Sequence, residues 1–233
     1  MTADHRVVAN IPAYNEQESI VTTMTDLKLR APWVDSIIID DGSTDATAQI
    51  CREHGYRFVS HAANLGLAGA FQTGMKYAHR EGYDYAIQFD ADGQHDAASI
   101  RAMLDAALEN DADIVIGSRF VTAEKPKSAR MAGSALLQAI IRLTTGQTVT
   151  DPTSGMRMYN ARMIKVFAET FDFGPEPDTI AFLMRKGAKL VEVQVDMHER
   201  VAGESYLTLS KSIMYMLSKS FSILFAQWFR RGK

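Results

Sequence analysis

Short apolar runs alternate with segments of helical spacing along the first half of the chain, and most runs end in a polar cluster. The runs predict strands at Val7–Ile11, Ser36–Ile39, Tyr56–Ser60, Tyr85–Phe89 and Ile114–Ile116. The segments between them predict helices at about 16–30, 44–54, 67–80 and 97–109. This alternation predicts an α/β fold, with a mostly parallel sheet and helices on both of its faces.

The rhythm changes after residue 125. The pattern there predicts a helix at Ser128–Thr145, a turn followed by extended chain over Asp151–Asn160, a strand at Lys189–Val195 and an apolar helix over Tyr206–Phe229. The chain has no internal repeat and no linker-like segment. The simplest division is one domain, residues 1–205, followed by a helical extension, residues 206–233.

Composition narrows the class of protein. The chain has 233 residues, of which 46% are hydrophobic and 23% are charged, values typical of a folded domain. The net charge of −3 lacks the basic bias of nucleic-acid binders, so we expect no nucleic-acid partner. The single cysteine, Cys51, excludes an internal disulfide. The N-terminus has no apolar core behind a basic start and does not resemble a signal peptide.

Two carboxylates one residue apart follow the predicted strand Tyr85–Phe89. Asp90 and Asp92 would repel each other unless a cation lay between them. Oxygen ligands of this kind suit Mg²⁺ or Mn²⁺, and Gln94 could add a carbonyl oxygen. The alternative is a turn rich in aspartate that only ends the strand.

Two other predicted strands also end in polar residues. Asp41 lies in the cluster after the second strand, where a carboxylate can accept a hydrogen bond from a base or a ribose. Tyr14 follows the first strand and could stack on a base; helix caps are the alternative for both clusters. Because the carboxyl ends of parallel strands meet at one edge, we expect a shared ligand site. The glycines over 64–70 form neither a dinucleotide fingerprint nor a Walker A loop.

Taken together, these segments resemble the family-2 glycosyltransferases of the GT-A fold. The matching pieces are Pro12-Ala13-Tyr14-Asn15-Glu16, Asp40-Asp41-Gly42-Ser43-Thr44-Asp45, Asn64-Leu65-Gly66, Asp90-Ala91-Asp92-Gly93-Gln94-His95 and Gly117-Ser118-Arg119. Two later segments, at 151–157 and 200–205, are similar to those of the dolichyl-phosphate mannose synthase branch and related bacterial polyprenyl-phosphate glycosyltransferases.

The resemblance implies a role for each matching residue. Those lining the nucleoside pocket would be Pro12, Tyr14, Glu16 and Asp41. The other nucleotide-binding residues would be Asp90, Ala91, Arg119 and Arg200, of which the two arginines would face phosphate groups. The metal ligands would be Asp90, Asp92 and Gln94, holding Mg²⁺ or Mn²⁺. The reaction would invert the anomeric centre in one displacement, with Arg119 stabilising the departing diphosphate. An ordinary surface ion pair is the alternative for either arginine.

The acceptor is implied less directly. The resemblance points to a lipid-linked acceptor used in the synthesis of cell-surface polysaccharide or glycoconjugate: a polyprenyl phosphate or a lipid-linked glycan. A hydroxyl acceptor needs a carboxylate base, whereas a phosphate acceptor is already an anion. Asp178 and Glu176 are the candidate bases, and a plain helix cap is the alternative for Asp178.

The apolar C-terminal segment bears on location. The residues that share one helical face there are Leu209, Ile213, Leu217, Leu224 and Trp228. Lys211, Lys219 and Arg230 interrupt the segment, so no charge-free stretch reaches about 18 residues and we do not expect the helix to span a bilayer. A helix lying at the cytoplasmic face of the membrane, against lipid or a small membrane protein, would make the protein peripheral. The alternative is a helix packed on the domain or in a homodimer contact.

Two other functional classes remain open from the residues alone. Nucleotidyltransferases also place paired acids on a metal at a parallel sheet. They usually carry a glycine-rich loop with a basic residue after the first strand, and residues 12–16 do not match it. A non-catalytic sugar-nucleotide-binding protein is the second alternative.

Overall fold

The computed structural model describes residues 5–123, 125, 129–170, 174–198 and 209–226. Its strands are β1 (Val7–Ala13), β2 (Asp35–Asp40), β3 (Phe58–Ser60), β4 (Tyr85–Gln88), β5 (Ile114–Ser118), β6 (Arg157–Asn160) and β7 (Leu190–Gln194). They form one sheet in the order β3-β2-β1-β4-β6-β5-β7. Only β6 runs antiparallel to its neighbours among these strands, which confirms the predicted α/β class.

Eight α-helices lie within the described residues. They are α1 (Ile20–Arg30), α2 (Thr47–Glu53), α3 (Gly66–Arg80), α4 (Ser99–Asn110), α5 (Ala129–Thr145), α6 (Ala161–Glu169), α7 (Pro177–Arg185) and α8 (Leu209–Phe221). A π-helical turn, Ser222–Ala226, continues α8. The sequence pattern did not predict α6, which begins where the Asn160 side chain accepts a hydrogen bond from the amide of Met163.

The sheet is covered on both faces. In β2, Ile37 and Ile39 belong to one apolar cluster and Ile38 to the other, because successive side chains of a strand point to opposite faces. The first cluster contains residues of α3, α5, α6, α7 and α8, and the second contains residues of α1, α2 and α4. Both layers of helices therefore fix the strand ends from which the polar clusters project.

Element ends differ from the predicted ones for local reasons. The strand predicted to stop at Pro12 continues to Ala13. Pro12 is tolerated because β4 pairs with β1 only as far as Asn10, so this part of β1 has a neighbour on one side only. The helix predicted from residue 16 begins at Ile20, because the preceding amides bond to the loop after β2 instead.

The antiparallel strand brings a distant loop to the functional edge. Arg157, the first residue of β6, pairs with Gln88 at the end of β4 and with Ile116 in β5. Residues 151–156 therefore lie at the same edge of the sheet as the carboxyl ends of β1, β2, β4 and β5. The segments singled out after these strands converge there.

The C-terminal helix packs against α5 and α7. Met216 and Ile223 enter the core, and Gly133 of α5 allows close approach, since a β-carbon there would lie 2.4 Å from the Met216 sulfur. Leu217 and Leu224, two members of the predicted apolar face, are exposed. The side chains of the other three members, and the predicted division at residue 205, lie outside the described residues.

Candidate active site

The tips of β1 and β2 are bonded to each other. The amide of Asp41 donates to the carbonyl of Ala13 at 2.8 Å, and the next residue of the first tip, Tyr14, is 41% exposed. Asn15 adopts a positive φ of 58°. Its amide donates to the hydroxyl of Ser43 at 3.0 Å. These bonds join the tip that carries an exposed aromatic ring to the tip that carries a buried carboxylate, the two residues predicted for nucleoside binding.

The two neighbouring aspartates at the β2 tip have different surroundings. Asp40 accepts a hydrogen bond on each carboxylate oxygen, one from a backbone amide at 3.1 Å and one from the hydroxyl of Ser60 at 2.7 Å. Asp41 accepts on Oδ1 from His61 at 2.7 Å and from the amide of Leu65 at 2.9 Å. Its Oδ2 makes no hydrogen bond within the described chain. Asp41 therefore keeps an acceptor for a ligand, whereas Asp40 closes the turn.

Pro12 and Glu16, the other two residues predicted to line the nucleoside pocket, lie in and just after β1. Pro12 is half-buried in β1. The Glu16 carboxylate accepts from the hydroxyl of Ser19 at 2.5 Å, and its amide donates to the hydroxyl of Thr47 at 2.9 Å. Glu16 thus ties the segment before α1 to the first residue of α2. Contact of either residue with a nucleoside stays a prediction.

Asp90 and Asp92 lie directly beyond β4, as the sequence predicts. Asp92 is buried and its Oδ1 accepts from the amide of Gln94 at 3.0 Å, across a turn in which Gly93 has a φ of 78°. The Asp90 side chain is partly exposed and accepts from Gln88 at 3.2 Å. The carbonyl of Ala91 accepts from a buried threonine hydroxyl, which fixes this loop on α1.

Two residues without a role in the sequence analysis shape this carboxylate pair. The amide of Asp90 donates to Nδ1 of His95 at 2.9 Å, so the ring proton lies on Nε2, which is 3.6 Å from Asp90 Oδ2. A β-carbon at Gly155 would lie 2.8 Å from the same Asp90 oxygen. Only the spacing of His95 from the aspartates was visible in the sequence; the approach of Gly155 depends on the strand order.

The ligand set at this tip fits a hard divalent cation in part. Asp90 and Asp92 supply carboxylates, and Gln94 supplies an amide oxygen close to them in the chain. Across the described part of the chain, no group of three or more His, Cys, Asp or Glu side chains is arranged to hold a metal. Mg²⁺ is commonly bound by one or two carboxylates together with waters and substrate phosphates, and two aspartates match that pattern.

Arg119 forms a buried ion pair rather than a surface one. Its Nε and Nη2 donate to the two oxygens of Asp151 at 2.7 and 2.8 Å. Asp151 is fully buried, whereas the Arg119 side chain is 32% exposed. Burial opposes ionisation of Asp151, but the hydrogen bonds and charge of Arg119 outweigh it and lower the pKa of that carboxyl. The guanidinium is thereby held in one orientation, and its Nη1 makes no hydrogen bond within the described residues.

The two candidate bases are both engaged by the C-terminal helix. Glu176 accepts a short hydrogen bond from the hydroxyl of Tyr215, and Asp178 accepts one from Ser222 at 2.5 Å. The ammonium of Lys219 lies 3.6 Å from Glu176 and 3.4 Å from Asp178. Burial and the nearby Glu176 raise the pKa of Tyr215, so this phenol is a donor. Glu176 is the N-cap residue of α7 and Asp178 lies in its first turn.

Arg157 is a buried cation that the sequence analysis left without a role. Its Nη1 donates to the carbonyl of Pro175 and its Nη2 to that of Pro152 at 2.8 Å. It therefore joins the loop of Asp151 to the start of α7. Arg200, the second predicted phosphate-binding arginine, lies outside the described residues.

Comparison with known proteins places the chain in a family. Residues 9–167 match the model of glycosyl transferase family 2. The undecaprenyl-phosphate mannosyltransferase of Micrococcus luteus is 32% identical over 219 residues, which cover 87% of this chain and 88% of that protein. Among the helices described here, none is both long enough and apolar enough to cross a membrane.

Solved structures share the fold. The mannosyltransferase PcManGT from Pyrobaculum calidifontis, in complex with GDP-Man and Mn²⁺, matches with a TM-score of 0.67 at 18% identity over 100% of this chain and 66% of that chain. Glucosyl-3-phosphoglycerate synthase from Mycobacterium tuberculosis, in complex with Mg²⁺ and uridine-diphosphate, matches with a TM-score of 0.63 at 18% identity over 93% of this chain and 79% of that one.

Proposed function

Because the chain belongs to glycosyltransferase family 2, we propose that it moves a sugar from a nucleotide diphosphate donor to a membrane lipid-linked acceptor. The proposal rests on one observation: the carboxyl ends of β2, β4 and β5 lie at the same edge of the sheet. Asp41 follows β2, Asp90 and Asp92 follow β4, and Arg119 follows β5. The acceptor class rests on the similarity to undecaprenyl-phosphate mannosyltransferase. Family membership removes the support for a nucleotidyltransferase.

The donor would lie across these tips. Tyr14 would stack on the base while Asp41 Oδ2 accepts from it, with Pro12 and Glu16 forming the wall of the pocket. The loop after β4 would face the diphosphate of the donor, and Ala91 in that loop would contact the nucleotide. Asp90, Asp92 and Gln94 would hold Mg²⁺ or Mn²⁺, which when bound supplies positive charge to the leaving group.

Arg119 would act on the same leaving group. Asp151 holds its Nε and Nη2, so Nη1 can point at phosphate oxygens with little loss of side-chain entropy. Charge grows on the diphosphate as the bond to the anomeric carbon breaks, and a fixed donor is most effective at that moment. Arg200 would add a second such contact. The acceptor oxygen would form its bond on the opposite face, which inverts the anomeric centre.

The hydrogen bonds that Glu176 and Asp178 already make favour a phosphate as the sugar acceptor. A polyprenyl phosphate presents an anionic oxygen and needs no base, whereas a glycan hydroxyl does. Glu176 and Asp178 already accept from hydroxyl groups of α8 and its π-helical turn. We therefore infer that a polyprenyl phosphate is the acceptor, and that Asp178 or Glu176 serves as base only if the acceptor is a hydroxyl.

A two-helix face would place the domain on the membrane. Residues 129–145 and 209–226 contain no acidic residue, although the whole chain has a net charge of −3. The exposed apolar side chains on these helices are Leu136, Leu143, Met214, Leu217, Phe221, Leu224 and Phe225. An apolar face without acids suits the cytoplasmic face of a membrane, whose lipids are anionic. Residues 1–205 would then be the catalytic domain and 206–233 its attachment; a homodimer contact is the competing use of this face.

The test of the proposed function joins nucleotide binding to transfer. We expect UDP, GDP or dTDP to raise the melting temperature in the presence of Mn²⁺. At a nucleotide concentration a hundredfold above Kd, binding should add about 2.7 kcal/mol to the free energy of unfolding. Asp92→Ala should abolish the metal-dependent part, whereas Asp105→Ala on the exposed side of α4 should not. The wild type should also transfer radiolabelled sugar from GDP-mannose or UDP-glucose to undecaprenyl phosphate in detergent.

The outcomes separate the alternatives. Binding of a sugar nucleotide without transfer to any lipid acceptor would favour a non-catalytic sugar-nucleotide-binding protein. A response to none of the three nucleotides would refute the proposal altogether.

A further inference from the structure

His61 lies beside Asp41 in a way that its position in the sequence does not suggest. It follows β3 directly, and its amide donates to the carbonyl of Asp40 at 2.8 Å. Because β2 and β3 pair in parallel with Asp40 opposite Ser60, the next residues, Asp41 and His61, are also neighbours. Both side chains are nearly buried, at 5% and 10% exposure.

The ring of His61 is held at both nitrogens. Nδ1 is 2.7 Å from Asp41 Oδ1, and Nε2 is 2.9 Å from the hydroxyl of Thr73 in α3. Since an ionised carboxylate can only accept, Nδ1 is the donor to Asp41 whichever way the hydroxyl of Thr73 turns. That hydroxyl is itself bonded to the carbonyl of Gly69 at 3.0 Å, which fixes the far end of the ring on α3.

The surrounding backbone leaves the Asp41 carboxylate one usable oxygen. Oδ1 also accepts from the amide of Leu65, so two donors saturate it and orient the plane of the group. Gly42 lies so close to the following loop that a β-carbon there would be 2.7 Å from the carbonyl carbon of Ala63. This packing holds the loop that supplies the Leu65 amide against the β2 tip, so Oδ1 is fixed and Oδ2 remains for a single N–H donor from a ligand.

We propose that His61, supported by Thr73, is a positioning residue that holds Asp41 to read one ring N–H of the donor's base. The inference rests on the proposed function, because it assigns the Asp41 pocket to a nucleoside. The proposed contact favours the bases that have a ring N–H beside a carbonyl, namely uracil, thymine and guanine. A base without that proton would face an unpaired buried oxygen, which costs affinity.

The probes are nucleotides with that proton blocked. For wild type with Mn²⁺, calorimetry should show that N3-methyl-UDP binds at least about tenfold more weakly than UDP, or N1-methyl-GDP than GDP, whichever base is preferred; a hydrogen bond to a charged group has this magnitude. In His61→Ala the unmodified nucleotide should lose roughly tenfold, and the penalty for methylation should fall below about threefold.

A second variant separates positioning from folding. His61→Asn keeps an N–H donor near the place of Nδ1 and should restore most of the discrimination, even if its melting temperature is no higher than that of His61→Ala. In transfer assays, His61→Ala should raise KM for the donor far more than it lowers kcat. The control is His79→Ala, an exposed histidine of α3, which should leave both quantities unchanged.

Failure of this inference differs from failure of the proposed function. If the wild type binds nucleotide but His61→Ala keeps its affinity and the full penalty for methylation, His61 does not position Asp41. If the wild type bound the methylated and unmethylated nucleotides equally well, the proposed hydrogen bond between Asp41 and the ring N–H of the base would be refuted. A wild type that binds none of the nucleotides would overturn the proposed function, and this inference with it.

Discussion

Replacing Asp151 by asparagine tests whether a buried ion pair organises the phosphate end of the site. The change keeps the shape of the side chain and removes its charge. In the wild type the backbone N–H of residue 151 donates to the Glu192 carboxylate of β7 at 2.9 Å. The substitution leaves this backbone bond in place, so the loop stays attached to β7. What is lost is the negative charge and one of the two oxygen acceptors that hold the Arg119 guanidinium.

The expected cost follows from the surroundings of the pair. Removing one partner of a fully buried pair costs about 3–5 kcal/mol. Because Arg119 keeps about a third of its side chain in water, its charge is only partly stranded, and we expect about 2–3 kcal/mol. For a chain of this size that corresponds to a drop in melting temperature of roughly 4–12 °C. Release of the guanidinium should also weaken nucleotide binding about tenfold, measured by calorimetry with Mn²⁺.

A matched pair at the other end of β5 serves as the control. Asp113 precedes β5 and accepts two bonds from Arg162, one of them at 2.9 Å. Asp113→Asn should lower stability, though less, because Arg162 is more exposed than Arg119. It should not change nucleotide affinity. Equal loss of nucleotide affinity in both variants, or no loss in Asp151→Asn, would refute the link between Asp151 and the site.

The effect on stability should depend on pH in a defined direction. Burial alone would raise the pKa of Asp151, but the hydrogen bonds and charge of Arg119 outweigh burial and lower it. A group of this kind stabilises the fold above its unfolded pKa of about 3.9, and that contribution is lost as pH falls through the folded pKa. The free energy of unfolding of wild type should exceed that of Asp151→Asn by a constant amount from pH 7 to about 5. That difference should shrink as the pH falls below about 4. A difference that widens in acid would contradict the assignment.

Three further variants address the remaining parts of the site and the proposed membrane face. Gly155→Ala should displace the Asp90 carboxylate and weaken Mn²⁺ binding in the presence of nucleotide, measured by calorimetry; unchanged affinity would show that the close approach is irrelevant. Asp178→Asn should leave transfer to undecaprenyl phosphate within about threefold, and a loss beyond about a hundredfold would instead identify a base. Leu217→Glu with Leu224→Glu should abolish binding to anionic liposomes in co-sedimentation, and retained binding would rule out this face as the membrane contact.

The sequence predicted the location of the candidate site because its signals are local. Polar residues directly after apolar runs must lie at one edge when the strands are parallel, so Asp41 and Asp90 could be assigned to the same edge without coordinates. The lengths of β1 and α1 were less predictable. They depend on whether amides bond within the element or to the loop after β2, which is a tertiary choice.

Contacts between distant segments could not be read from the chain. Nothing near Arg119 indicates that its partner lies 32 residues later, since the contact depends on the antiparallel β6 lying between β4 and β5. His61 stands outside any acidic cluster, and its bond to Asp41 depends on the parallel pairing of β2 and β3. In both cases the pattern shows a polar residue at a strand tip, and the strand order decides what it touches.

The C-terminal helix joins two properties that the sequence treats separately. One side of it exposes Met214 and Phe221, at 68% and 62%, on the face proposed to meet lipid. Another side places Lys219 between the carboxylates of Glu176 and Asp178 at the start of α7. Under the proposed function, a lipid-linked phosphate would reach the donor from the membrane side, so the helix proposed to contact the bilayer would also border the acceptor's path. Displacement of α8 from the domain would free Glu176 and Asp178 and remove the proposed membrane face together, so the proposal links attachment to the geometry around the acceptor.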